Sequence, residues 1–161
     1  MDTVYLETSI ISYLRQKPSS HVVTAARQLL TYRWWTDERA NYQLVVSQYV
    51  IDEASSGEPA LAADRLLTLE GIPALPHDPE IVRIAKAIMA IGVLPLKAEV
   101  DALHIATVAY HRVEYLLTWN CRHIANAKIL PRIHAVLSGM GIPIPIICTP
   151  EELLGDDSEG D

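Results

Sequence analysis

Residues 4–14 read Val4-Tyr5-Leu6-Glu7-Thr8-Ser9-Ile10-Ile11-Ser12-Tyr13-Leu14, and the order of residue types in this stretch decides the fold. Apolar strand formers stop at a carboxylate, two hydroxyls follow, and a second apolar run begins at once. A strand that delivers an acid at its end and turns directly into a helix places that acid where open α/β sheets put their ligands. Glutamate is depleted in strands. Glu7 therefore points either to metal or acid–base chemistry, or to simple exposure at a strand end.

Outward from this segment, strands and helices alternate. Residues 3–6 form the strand and about 9–15 a short helix; Pro18-Ser19-Ser20 breaks the chain and caps a longer helix from about His21 to Arg39. Tyr42 to Val46 reads as a second strand, with Ser47 placed to cap a helix carrying Tyr49, Val50, Glu53 and Ala54. A helix from Gly57-Glu58-Pro59 to about Glu70 and a short third strand, Ile72 to Leu75, follow. Asp78-Pro79-Glu80 starts a helix that ends near Gly92, since it offers a capping oxygen and proline at the first helical position. Residues 96–111 form the next helix, Glu114 to Thr118 a fourth strand, and 121–126 and 128–138 two further helices. The prolines of Pro143 to Cys148 confine that strand to a sheet edge. Thr149-Pro150-Glu151-Glu152 is a capping box for a closing turn.

This alternation predicts one three-layer α/β/α sandwich over residues 1–154, with a central, mostly parallel sheet of about four to five strands. An acidic tail, 155–161, is expected to be disordered. A chain of 161 residues can bury roughly two-thirds of its surface without staples. Two cysteines make no disulfide framework, and the longest apolar stretch, Ala87 to Leu96, is too short for a bilayer. A soluble, cytoplasmic protein with no membrane partner is the expectation. The net charge of −7 argues against a bulk electrostatic grip on nucleic acid. Four of the acids lie in the tail, however, which leaves −3 on the body. Phosphate binding through a metal or a few arginines stays open.

Three acids stand at comparable places: Glu7 after the first strand, Glu53 on the helix after the second, and Asp101 near the start of a later helix. Asn120 follows the fourth strand. In a parallel sheet the carboxyl ends of strands share one edge, so such distant residues can converge. Clustered carboxylates repel unless a divalent cation neutralises them, and Mg²⁺ and Mn²⁺ prefer oxygen ligands. Each residue also has a plainer reading. Asp101 aligns at helical spacing with Lys97, His104 and His111, which suits an exposed stripe and a Lys97–Asp101 pair. Asn120 suits an N-cap. Cys121, His123, His104 and His111 could be assembled into a zinc site on paper, but no Cys-x-x-Cys or His-Glu-x-x-His spacing supports one. Trp34 and Trp35 read as core or interface aromatics.

In these four positions and their flanks the chain resembles PIN-domain proteins, specifically VapC-like toxins of type II toxin–antitoxin pairs. The resemblance runs from Tyr5-Leu6-Glu7-Thr8-Ser9 through Ser47-Gln48-Tyr49-Val50-Ile51-Asp52-Glu53 and Asp101-Ala102-Leu103-His104-Ile105-Ala106 to Leu117-Thr118-Trp119-Asn120-Cys121-Arg122-His123. It implies a PIN-like fold and a Mg²⁺- or Mn²⁺-dependent endoribonuclease that leaves a 3′-hydroxyl and a 5′-phosphate. Glu7, Glu53 and Asp101 would hold the metal, directly or through water, and Asn120 would complete the catalytic set. Thr8, Ser9 and Thr118 would orient the carboxylates or a water, and Arg15, Lys17 and Arg122 would contact RNA phosphates. The sequence departs from the family pattern twice: Glu7 stands where aspartate is usual, and Asn120 where an acid is usual.

Three rivals remain at the level of sequence. The acids could serve another metal-dependent phosphoryl hydrolase, since strand-end acids support many such reactions. The chain could be a catalytically silent binding module. It could act mainly by pairing with an antitoxin or by forming a homodimer, through the helix that carries Arg27, Leu29, Leu30, Tyr32, Trp34 and Trp35.

Overall fold

A computed structural model of the chain describes residues 1–155. The expected disorder of the tail falls, from Asp156 onward, outside the described residues. Strand β1 is Thr3–Leu6, followed by helices α1 (Thr8–Arg15) and α2 (Val22–Arg33). Strand β2 (Gln43–Val45), α3 (Gln48–Ala54), α4 (Pro59–Leu69), α5 (Pro79–Ala90) and α6 (Glu99–Tyr110) come next. Strand β3 (Tyr115–Leu117), α7 (Leu130–Gly139) and β4 (Ile146–Cys148) complete the order.

The sheet has the order β2-β1-β3-β4 and every pairing is parallel. β1 is central: Tyr5 lies opposite Val45 on one side and Leu116 on the other. An all-parallel sheet is covered on both faces, which is why consecutive residues Val4, Tyr5 and Leu6 are all wholly buried. The chain leaves β1 toward β2 on one side and later reaches β3 on the other. The switch point, where ligands bind in such sheets, therefore lies at the carboxyl end of β1.

Most expected elements form near their expected bounds, and the departures have local causes. The expected strand at Ile72 to Leu75 shrinks to a single bridge between Val46 and Ala74. Pro73 can only accept there, taking a bond from the Val46 amide at 3.0 Å, and Pro76 ends the run. The helix expected to reach Arg39 ends at Arg33 and widens into a π-helical turn, Trp34–Glu38, where the fully buried Trp34 stacks 6.0 Å from Tyr42. No helix forms at 121–126. Asn120 draws that segment into turns by accepting from Ile124 and Ala125 on its carbonyl and from His123 on Oδ1. The proline-led strand is indeed at the sheet edge, and Thr149 donates its amide to the Glu152 carboxylate at 2.7 Å, as a capping box requires. No described helix is long and apolar enough to cross a membrane.

Candidate metal centre

Glu7 leaves β1 and becomes the N-cap of α1, a buried residue only 5% exposed. Its Oε2 accepts the Ser9 amide at 3.1 Å, the Ser9 hydroxyl, and the Thr118 hydroxyl at 2.7 Å. Thr118 in turn accepts the Asn120 amide at 2.9 Å, and the Ser9 hydroxyl accepts the Trp119 amide at 2.8 Å. Two hydroxyls that flank two different strand ends thus hold one carboxylate oxygen. No described donor falls on the other oxygen, Oε1.

Glu53 lies on the second turn of α3, partly exposed, and faces Glu7 across the sheet edge. Its Oε1 accepts the Thr8 hydroxyl at 2.7 Å and a ring nitrogen of His104, Nε2, at 2.6 Å. Burial pushes the Glu53 carboxyl up, but the His104 hydrogen bond and charge, with the Thr8 hydroxyl, outweigh it and hold the group below the ordinary carboxylate value. Again the second oxygen, Oε2, has no described donor. One ligand atom each from Glu7, Glu53 and His104 lie within 4.8 Å of one another.

This donor set fits the cation that the family resemblance implies. Two carboxylates held together in partial burial repel unless countered, and each presents one uncommitted oxygen. Oxygen donors of this kind suit Mg²⁺ or Mn²⁺, which also keep several waters.

The other expected site residues are placed differently. Asp101 is in the first turn of α6 but is not a member of the tight group of Glu7, Glu53 and His104. Its Oδ2 meets His123 Nδ1 at 3.0 Å, both side chains being under one-fifth exposed. That pair replaces the expected one with Lys97. Asn120 spends Oδ1 on the His123 amide at 2.9 Å, the capping role that was its plainer reading. Thr8, Ser9 and Thr118 all touch site carboxylates. Arg15 ends α1 and makes two hydrogen bonds to Asp64 of α4, at 3.0 and 2.6 Å. Lys17 and Arg122 are exposed, Arg122 in the turn just after Asn120.

His104 corrects the exposed-stripe expectation: it is wholly buried, and its Nδ1 lies 2.6 Å from the Tyr5 hydroxyl, which lies 2.6 Å from the Ser47 hydroxyl. Ser47 was expected to cap α3 and does not; its hydroxyl is taken by Tyr5. Burial pushes the Tyr5 phenol well up, so it stays protonated. The signal for His104 was present in the sequence. It stands among Ala102, Ile105, Ala106, Val108 and Ala109, a helix apolar all round, and such helices are buried on every side. Arg27 was expected only on an interface helix. Its guanidinium lies over the Trp119 ring, 5.2 Å from the centroid, beside the turn that carries Asn120. The paper zinc site does not assemble among the described residues.

The family model for the PIN domain matches residues 4–128. In fold the chain is similar to a chain of VapBC2 from Rickettsia felis, in its crystal structure bound to a DNA fragment from the promoter. That match has a TM-score of 0.58 at 14% identity and covers 91% of this chain and 98% of that one. No curated protein is similar enough in sequence to match.

Proposed function

The chain belongs to the PIN-domain family, and from that membership we propose that it is a divalent-metal-dependent endoribonuclease, the toxin of a toxin–antitoxin pair. The observation that carries this reading is the pairing of Glu7 and Glu53, each with one oxygen fixed and one uncommitted, at the carboxyl end of the central strand. Glu7 and Glu53 would hold Mg²⁺ or Mn²⁺ directly, with Asp101 reaching it through water. When bound, such a cation supplies a water acidic enough to act as nucleophile near neutral pH and neutralises charge on the phosphoryl oxygens.

The chain's own groups do the rest. Ser9 and Thr118 fix Glu7; Thr8 fixes Glu53; His123 holds Asp101 at the rim. Asn120 shapes the turn that carries Trp119 and Arg122. Arg122, Lys17 and Arg27 offer cations to the phosphates of a single strand. Arg15 is committed to Asp64 and stands roughly 10 Å along α1 from Glu7, so it contributes less.

The exposed apolar residues Val22, Val23, Leu29 and Tyr32 of α2, with Leu61, Leu66 and Leu67 of α4, favour a protein partner as well. A cognate antitoxin or a second copy of the chain would cover them, in the cytoplasm.

The test is cleavage of a mixed single-stranded RNA by the pure protein with Mn²⁺, Mg²⁺ or EDTA, beside a Glu7→Ala/Asp101→Ala double variant. Metal-dependent cutting lost in the variant is the expected result. Equal cutting by both proteins removes the assignment, and faster turnover of a small phosphoester than of RNA moves it to another phosphoryl hydrolase. No cutting by the folded wild type makes the chain a binding module.

A further inference from the structure

Three polar groups, Ser47, Tyr5 and His104, run in a line through an otherwise apolar core and end on Glu53. Tyr5 and His104 are fully buried and Ser47 is 3% exposed. Burying polar groups is unfavourable unless every donor meets an acceptor, and a single core would be simpler to build from aliphatic side chains. Ser47 even gives up the cap of α3 that its position offers, in order to meet Tyr5. Local preference is set aside here for something other than stability.

The direction of the last bond follows from chemistry. A carboxylate that is to ligate a cation only accepts, and Oε1 already takes the Thr8 hydroxyl at 2.7 Å beside its 2.6 Å contact with Nε2. The proton between Glu53 Oε1 and His104 therefore sits on Nε2. A ring nitrogen that carries a proton has no lone pair for a metal. The proximity of His104 to Glu7 and Glu53 is thus not that of a third ligand.

We propose that His104 is the positioning residue of the Glu53 carboxylate: its Nε2–H, with the ring set by Tyr5 and Ser47, clamps Oε1 and leaves Oε2 to ligate the cation. The part of this inference that concerns metal rests on the reading of Glu7 and Glu53 as the metal centre. A glutamate has three rotatable side-chain bonds, and the Glu53 side chain is 38% exposed, so without a clamp it would sample many arrangements. Thr8 and His104 both bond the same oxygen. Thr8 is on the exposed side and His104 is anchored in the core, so His104 gives the fixed reference. Outer partners of this kind typically alter metal affinity about 10- to 100-fold.

The test uses three readouts on the full chain. Imidazole NMR of the wild type in EDTA is expected to show a proton on His104 Nε2; an Nε2 without a proton overturns the proposal. Calorimetric titration with Mn²⁺ and Mg²⁺, and with Co²⁺ as a nitrogen-seeking control, compares wild type, His104→Leu, His104→Gln and Tyr5→Phe, with thermal melting in EDTA to certify the fold. His104→Leu is expected to lose about 10- to 100-fold in affinity for both ions in parallel. His104→Gln, whose amide nitrogen takes the place of Nε2, is expected to restore affinity to within a few-fold of wild type. Tyr5→Phe, which keeps His104 but frees its ring, is expected to fall between them. Unchanged affinity in every folded variant overturns the proposal. So does a loss for Co²⁺ far larger than for Mg²⁺, the mark of a nitrogen ligand. A wild type that binds neither ion yet keeps the Nε2 proton overturns the metal reading alone and leaves the clamp standing.

Discussion

Glu53 and Asp101 are each paired with one histidine, at 2.6 Å to His104 and 3.0 Å to His123, yet the two pairs are supported differently. His104 is fully buried in a central helix and backed by Tyr5 and Ser47. His123 is 17% exposed and rides on a turn held by Asn120. The same chemical pairing is therefore a fixture of the core in one place and a clasp on a loop in the other. Loops can open where core elements cannot, because their local stability is lower. On the proposed reading, such a site would keep the Glu53 carboxylate rigid, for charge, while the rim carboxylate of Asp101 yields to an incoming strand.

The largest expected effect tests whether the core-anchored pair carries the chemistry. Glu7→Ala or Glu53→Ala should lower RNA cleavage on the order of 10³-fold, as expected for removing charge aimed at the reacting centre. Asp101→Asn should lower it less, about 10- to 100-fold. Single-turnover rates with saturating Mn²⁺ measure both. Equal losses at all three positions would erase the distinction between core and rim.

Stability should divide the two pairs in the same way. Tyr5→Phe leaves His104 Nδ1 and the Ser47 hydroxyl without a partner in the core, so it should cost about 1–3 kcal/mol in urea unfolding. His123→Ala removes a partly exposed group from a turn and should cost about 0.5 kcal/mol or less. A His123 variant that unfolds as readily as the Tyr5 variant would show the rim to be as much a part of the core as His104 is.

The two pairs also differ in how legible they were. Glu7 and Glu53 could be located from sequence because each follows an apolar strand that the sheet must bury. Order along the chain then placed them at one edge. The clamp was hidden by a competing periodicity. Lys97, Asp101, His104 and His111 align as an exposed stripe, but Val108 shares that stripe and is wholly buried, as is His104. The packing of α6 against α5 and the sheet overrides the stripe. Ser47 misled for a similar reason: its cap position is a local signal, and the Tyr5 hydroxyl across 42 residues won. The Asp101–His123 contact depends on how the turn after β3 folds over the start of α6, which no local pattern reports. Pro73 and Pro76, by contrast, were readable signs that the strand at 72–75 would be short.

Acid titration gives a smaller effect with a definite sign. The Glu53 carboxyl is held below its ordinary value of 4.5 in the folded chain. Its contribution to stability is therefore complete above that value and is lost as pH falls through the folded value. Between pH 6 and pH 3, the difference in urea midpoint between wild type and Glu53→Gln should shrink toward acid. A difference that grows toward acid would mean that burial dominates and that His104 does not hold the ionised form.

The smallest expected effects separate two arginines that the sequence treats alike. Arg15 is tied to Asp64 by two hydrogen bonds, and that contact raises the guanidinium pKa and lowers that of the carboxyl. Arg122 is exposed in the turn beside Asn120. If RNA enters over the rim, Arg122→Ala should reduce the salt dependence of metal-free RNA binding by about one unit of slope. Arg15→Ala should leave that slope unchanged, because its charge is already offset and it faces α4 rather than the site. Fluorescence anisotropy with a catalytically silent Glu7→Ala background, across a salt series, reads both values. A slope that falls for Arg15 and not for Arg122 would place the strand along α1 and α4. The loop-borne pair would then lie off the path of the RNA, and its weaker support could no longer be a means of admitting substrate.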